Sequence, residues 1–144
     1  MELELIELTH KSEVCKTYGI YKHCMFMPTE EKFNKKMDSF LNDNSVKILA
    51  FFNQSKIVGL IVISFVEQRK TEIIGIAVDV SARGKGIGSY MINRIVNDYG
   101  LTSVYAETDN DAVAFYRKNG FSITEFSEIY DRETFIRYKC ELTK

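Results

Sequence analysis

The sequence predicts an α/β fold of about seven strands and about four helices. Three observations carry this. Apolar runs with the alternation or length of strands are separated by segments with helical spacing. Three of the strands follow one another through short polar turns, as an antiparallel meander does. A glycine-rich loop then joins the third of them to an amphipathic helix. With 144 residues, the chain is expected to form one domain, residues 1–144, with one substantial core.

In order, Leu3 to Leu8 alternates apolar and acidic residues, as a half-buried strand does. Thr9 to Tyr18 is a weak helix, followed by an aromatic and sulfur-rich stretch from Tyr18 to Met27. Pro28 ends it, Thr29 is a helix N-cap, and Glu30 and Glu31 favour the first turn of a helix. Phe33, Met37, Phe40 and Leu41 share one face of that helix. Val46 to Phe52, Ile57 to Val66 and Thr71 to Val80 are the meander strands. Ile87, Met91 and Ile95 give the next helix its stripe, widened by Ile92, Val96 and Tyr99. Thr102 to Thr108 is a strand, Asp111 to Lys118 a short helix closed by Asn119-Gly120, and Phe121 to Ile129 and Thr134 to Leu142 a final strand pair.

Composition excludes several function classes. Hydrophobic residues make up 45% and charged residues 27% of the chain, as in ordinary globular proteins. A net charge of −1 gives no electrostatic case for nucleic acid or an anionic membrane. The acidic, alternating start does not read as a signal peptide, and no apolar run has the roughly 20 residues of a membrane span. Cys15, Cys24 and Cys140 are odd in number and lack metal-ligand spacing. They read as free thiols in a reducing cytoplasm, with no metal site expected.

The loop Arg83-Gly84-Lys85-Gly86-Ile87-Gly88-Ser89 carries the functional signal. A glycine-rich loop that opens a helix presents backbone N–H groups with no partner in the helix, at the positive end of the helix dipole. That is a receptor for phosphate oxygens, and Arg83 and Lys85 add positive charge. The dinucleotide fingerprint fails, because Ser89 stands where its third glycine belongs, and the P-loop pattern fails as well. The pattern R-x-x-G-x-G fits, as Arg83, Gly86 and Gly88. A second block, from Asp109 to Phe121, fits N-x-x-A-x-x-φ-Y-x-x-x-G-F at Ala112, Phe115, Tyr116, Gly120 and Phe121. Its Asn slot holds Asp109, and Asn110 comes one residue late.

With these two blocks and the order β-α-α-β-β-β-α-β-α-β-β, nearly the whole chain resembles the GCN5-related N-acetyltransferase (GNAT) superfamily. The resemblance implies that acetyl-CoA is the co-substrate and an amine the acceptor, in a monomer or homodimer. It implies a splay between strands 4 and 5, where the backbone of Ile76, Ala77 and Val78 pairs with pantetheine and an N–H there stabilises the oxyanion. Residues 83–89 would hold the pyrophosphate, with Asn110, Phe115 and Tyr116 also at the cofactor and Lys118, with Arg117, near its 3′-phosphate. Tyr116 would protonate the leaving thiolate.

Glu72 is the candidate base, six residues before Val78 and therefore on the same face of a regular strand. Glu107 is its competitor, and a water wire is a third possibility. Tyr18, Tyr21, Met25, Phe26 and Met27 are candidates for the acceptor pocket, with Glu128, Asp131 and Glu133 to attract a cation. The alternative to an enzyme is a degenerate acyl-CoA-binding sensor.

Overall fold

A computed structural model describes residues 2–144. Its seven-stranded sheet runs in the order β1-β2-β3-β4-β5-β7-β6. The strands are β1 (Glu4–Glu7), β2 (Val46–Asn53), β3 (Lys56–Glu67), β4 (Lys70–Val78), β5 (Ser103–Thr108), β6 (Ser122–Tyr130) and β7 (Glu133–Thr143). All pairs are antiparallel except β4–β5. The helices are α1 (Lys11–Val14), α2 (Tyr18–Tyr21), α3 (Glu30–Leu41), α4 (Ile87–Tyr99) and α5 (Val113–Lys118). A 3-10 turn over Cys15–Thr17 joins α1 to α2 and another over Lys22–Cys24 follows α2, making one irregular helical stretch. It continues past Tyr18, where the sequence predicts an end, because Val14, Thr17, Ile20 and Tyr21 recur at helical spacing and are all buried.

The sheet separates two apolar layers. On one face α4 and α5 cover β2–β5 through Met91, Ile92, Ile95 and Val113, packed on Phe51, Ile61, Ile63 and Ile73. On the other face Val14, Tyr21, Phe33 and Met37 pack on Ile48, Ala50, Leu60 and Val62. Thr29 caps α3, its side chain accepting the Lys32 N–H at 3.1 Å, worth about 1 kcal/mol at such a position.

Two details of β4 differ from the regular strand that the sequence predicts. The strand stops at Val78 rather than Val80, because the Asp79 carboxylate accepts the Ser81 N–H at 3.3 Å and starts a 3-10 turn, Val80–Ala82. The Ser81 hydroxyl and the Lys56 ammonium also reach Asp79, and its carboxyl is held below the ordinary value chiefly by the Ser81 hydrogen bond. The second detail is a bulge. Val62 pairs with Gly75 but Ile63 pairs with Ile73, leaving Ile74 as an extra residue. A bulge shifts the inside–outside alternation by one. Ile73, Ile76 and Val78 therefore share the α4 face, while Ala77 belongs to the other. Glu72 and Val78 consequently face opposite sides of the sheet. This corrects the same-face expectation, whose parity argument assumed a regular strand.

Candidate active site

β4 and β5 are paired only at Lys70–Ser103, Thr71–Val104 and Glu72–Tyr105. Beyond those three pairs the strands part, β4 staying with β3 and β5 with β7. The Asp79 N–H donates to the Val58 carbonyl at 2.9 Å, toward β3. Backbone direction alternates along an antiparallel strand, so Ile76 and Val78 present their backbone groups to the gap. The Val78 carbonyl accepts there from Arg83 Nε at 3.4 Å. These are edge groups inside a sheet, and an amide-bearing ligand can pair with them as an added strand would.

The gap opens into a cleft of about 1020 Å³. One wall is β4 from Ile73 to Val78. The opposite wall is the end of β5, Glu107 to Asp109, followed by Asp111, Ala112, Phe115 and Tyr116. Arg83 and Gly88 stand at one end, and His23 to Met27 close the side formed by the N-terminal helical stretch.

At the glycine-rich loop, Gly84 and Gly86 both have φ of 77°, a conformation that L side chains adopt at a cost of about 1–2 kcal/mol. Gly86 is the N-cap of α4 and supplies no side-chain cap. The first intrahelical acceptor is the Gly86 carbonyl, bonded by the Tyr90 N–H at 3.0 Å, so the N–H groups of the opening turn point outward. Gly88 lies against the second sequence block. A Cβ there would stand 2.8 Å from Phe115 Cε1, so the absent side chain lets the start of α4 approach α5.

Tyr116 is 5% exposed, with its ring edge-on to Phe115 at 5.3 Å and Phe121 at 5.1 Å. Burial pushes its pKa far above the usual 10.0, and the nearby sulfurs of Cys140 and Cys24 push it further. The phenol stays protonated and can donate. Tyr116, part of the α4 layer, and Cys24 both line the cleft. The Cys24 thiol opens on the cleft and donates to the Tyr21 carbonyl at 3.2 Å. Although the residue is exposed, desolvation by the surrounding protein raises its thiol pKa to about 11, against lowering by hydrogen bonds from Tyr21 and the Ile76 backbone.

Of the sequence candidates, Ile76, Ala77, Val78, Arg83, Gly88, Phe115 and Tyr116 line the cleft. Gly84, Lys85, Gly86, Ile87 and Ser89 complete the loop and first turn without lining it. Lys118 lies at the exposed end of α5, outside the lining. Asn110 is also outside it, accepting from the Tyr138 hydroxyl at 3.1 Å. Asp109 takes the place on the wall, where Oδ1 accepts the N–H groups of Asp111 at 3.0 Å and Ala112 at 3.3 Å. Glu72 does not line the cleft. Burial raises its pKa, the Glu107 charge raises it further, and a hydrogen bond from Tyr105 opposes both. Glu107 does line the cleft.

Met25, Phe26 and Met27 line the cleft, whereas Tyr21 is buried against Phe33 and Tyr18 packs on the same ring. His23, Thr108 and Arg137 are cleft residues that no sequence motif marks.

The profile of the Acetyltransferase (GNAT) family matches residues 14–121. The chain belongs to this family. Solved structures with the GNAT fold align over nearly the whole chain. They include a Bacillus subtilis acetyltransferase in complex with CoA, at 14% identity and TM-score 0.71, covering 99% of each chain. A GNAT family acetyltransferase from Elizabethkingia anophelis with acetyl-CoA bound aligns at 17% identity and TM-score 0.72, over 99% of this chain and 98% of that one. A variant spermidine N-acetyltransferase from Vibrio cholerae aligns at 14% and 0.73, over 98% and 93%. Identities this low establish the shared fold. No curated protein matches the sequence. Among the described residues no helix is long and apolar enough to cross a membrane, and no cluster of side chains is suited to hold a metal.

Proposed function

We propose that residues 1–144 form a single N-acetyltransferase domain that moves the acetyl group of acetyl-CoA to a primary amine by direct attack within a ternary complex. The observation that carries this reading is the junction of an uncapped glycine helix start with a gap whose edge backbone has no strand partner. The outward N–H groups of residues 87–89, together with Arg83, suit a pyrophosphate. The backbone of Ile76 and Val78 suits the two amides of pantetheine. Membership of the GNAT family and the neighbours crystallised with CoA or acetyl-CoA support the same co-substrate.

In the proposed reaction a neutral amine forms the N–C bond at the thioester carbon and the C–S bond breaks. The ammonium's first proton goes to a base; as the tetrahedral intermediate collapses, the departing thiolate receives the Tyr116 proton, and the nitrogen's second proton passes through water to restore the Tyr116 phenol, leaving the neutral amide. Glu107 is the better-placed base, acting directly or through water, because it lines the cleft, whereas Glu72, close enough to interact with it, is not part of the lining. A backbone N–H of residues 76–78 holds the oxyanion.

The test is release of CoA thiol from acetyl-CoA across a panel of primary amines, run with wild type and Tyr116→Phe. Turnover by wild type, with kcat lowered about a hundredfold in the variant and acetyl-CoA KM nearly unchanged, is the expected result. Binding of acetyl-CoA without turnover of any amine favours a sensor module instead. Equal turnover by both proteins removes Tyr116 as the proton donor.

A further inference from the structure

A second cavity of about 280 Å³ adjoins the cleft and shares Phe26, Asp109 and Arg137 with it. Its remaining walls come from the outer half of the β6–β7 hairpin: Glu128, Tyr130, Phe135 and Ile136. The apolar walls face solvent to an unusual degree. Phe26 is 71%, Tyr130 63%, Ile136 50% and Phe135 42% exposed. Grouped exposed aromatics around a concavity mark a binding surface rather than a core. Phe26 and Tyr130 already stand edge to face at 6.3 Å, the geometry that an added aromatic ring extends.

We infer that this cavity holds the body of the acetyl acceptor, and that the acceptor is a small primary amine carrying an aromatic ring on a short tether and no carboxylate. The inference rests on the N-acetyltransferase reading and specifies its acceptor.

Charge and size select this class. The Arg137 charge is paired at its Nε, 3.3 Å from Glu128 Oε2, in a contact too poorly aligned to be a hydrogen bond. The remaining charges at the junction and along the adjoining β5 wall are the carboxylates Asp109, Glu107 and Asp111. An ammonium entering there meets unlike charge, whereas the carboxylate of an amino acid meets like charge. A polyamine needs a succession of carboxylates along its length. This cavity offers apolar walls and only two carboxylates, Glu128 paired with Arg137 and Asp109 accepting two backbone N–H groups. Its volume lies just below the usual range of ligand pockets, about 300–1,000 Å³, and suits one ring with a two-carbon arm.

The experiment compares kcat/KM for phenethylamine, ethylamine, phenylalanine and spermidine with saturating acetyl-CoA. Phenethylamine is expected to exceed each of the others by at least tenfold. Phe135→Ala is expected to shrink the phenethylamine-to-ethylamine ratio several-fold, with thermal unfolding showing that the variant is folded. Equal or better use of spermidine, phenylalanine or ethylamine overturns the acceptor class while leaving acetyl transfer intact. Bound acetyl-CoA with no thiol released from any amine overturns the transferase reading, and this inference with it. If Phe135→Ala changes the mass in light scattering while the amine preference persists, the occupant is a second copy of the chain, and the inference fails.

Discussion

Tyr116 and Glu72 show what a residue's surroundings do to its chemistry. The sequence block marks Tyr116 by spacing alone. The structure adds that its phenol is kept protonated by burial, which is the state a donor requires. Glu72 was legible as a carboxylate near the cleft, but its facing was not, because facing depends on an uninterrupted alternation that Ile74 breaks.

The pH behaviour of Glu72 gives a prediction at this scale. Its folded pKa lies above the usual 4.5 because of burial and Glu107. Below pH 4.5 both folded and unfolded chains hold the proton. As pH rises from there through the folded pKa, the unfolded chain has released the proton first, so stability falls across that window. Glu72→Gln, uncharged and still able to accept from Tyr105, is expected to unfold at a higher temperature than wild type at pH 8. At pH 4 the two midpoints should converge. Thermal denaturation at the two pH values checks this, and a lower midpoint for the variant at pH 8 contradicts it.

At the scale of elements, the strand–loop–helix unit was readable because its determinants are local. Glycines permit φ of 77° at two loop positions, and the spacing of Ile87, Met91 and Ile95 declares a helix. The β4 bulge was not readable. Nothing in Ile73-Ile74-Gly75 announces an extra residue; the register with Val62 and Ile63 of β3 creates it. The irregular helical stretch of residues 11–24 was only half visible, since Gly19 and the two 3-10 turns interrupt its period.

Gly86→Ala tests the loop as an element. The added Cβ meets nothing within 4 Å, so its whole effect is backbone strain of about 1–2 kcal/mol. The expected outcome is a Tm lowered by about 3–6 °C together with a raised KM for acetyl-CoA, measured by calorimetry and steady-state kinetics. An unchanged KM would separate the loop's left-handed turn from cofactor binding.

For the whole molecule, the order of strands and helices could be read in the sequence almost completely. The contributions of His23, Cys24 and Arg137 to the cleft could not, because they come from segments far apart in the chain that meet only in three dimensions. A ligand that binds only the folded chain stabilises it by RT ln(1 + [L]/Kd), about 2.7 kcal/mol at a hundredfold excess over Kd. Acetyl-CoA is therefore expected to raise the unfolding midpoint in a concentration-dependent way, with NAD and ATP producing much smaller shifts at equal concentration. Equal shifts from all three would remove the acyl-CoA assignment.

The three-pair seam between β4 and β5 makes the sheet resemble two panels of a folding screen, four strands in one and three in the other, hinged along a short margin. In the proposed complex, a pantetheine arm laid along the opening would be the missing slat. Loading the co-substrate would then stiffen the scaffold before the acceptor arrives, so the order in which the two substrates enter would follow from the architecture itself.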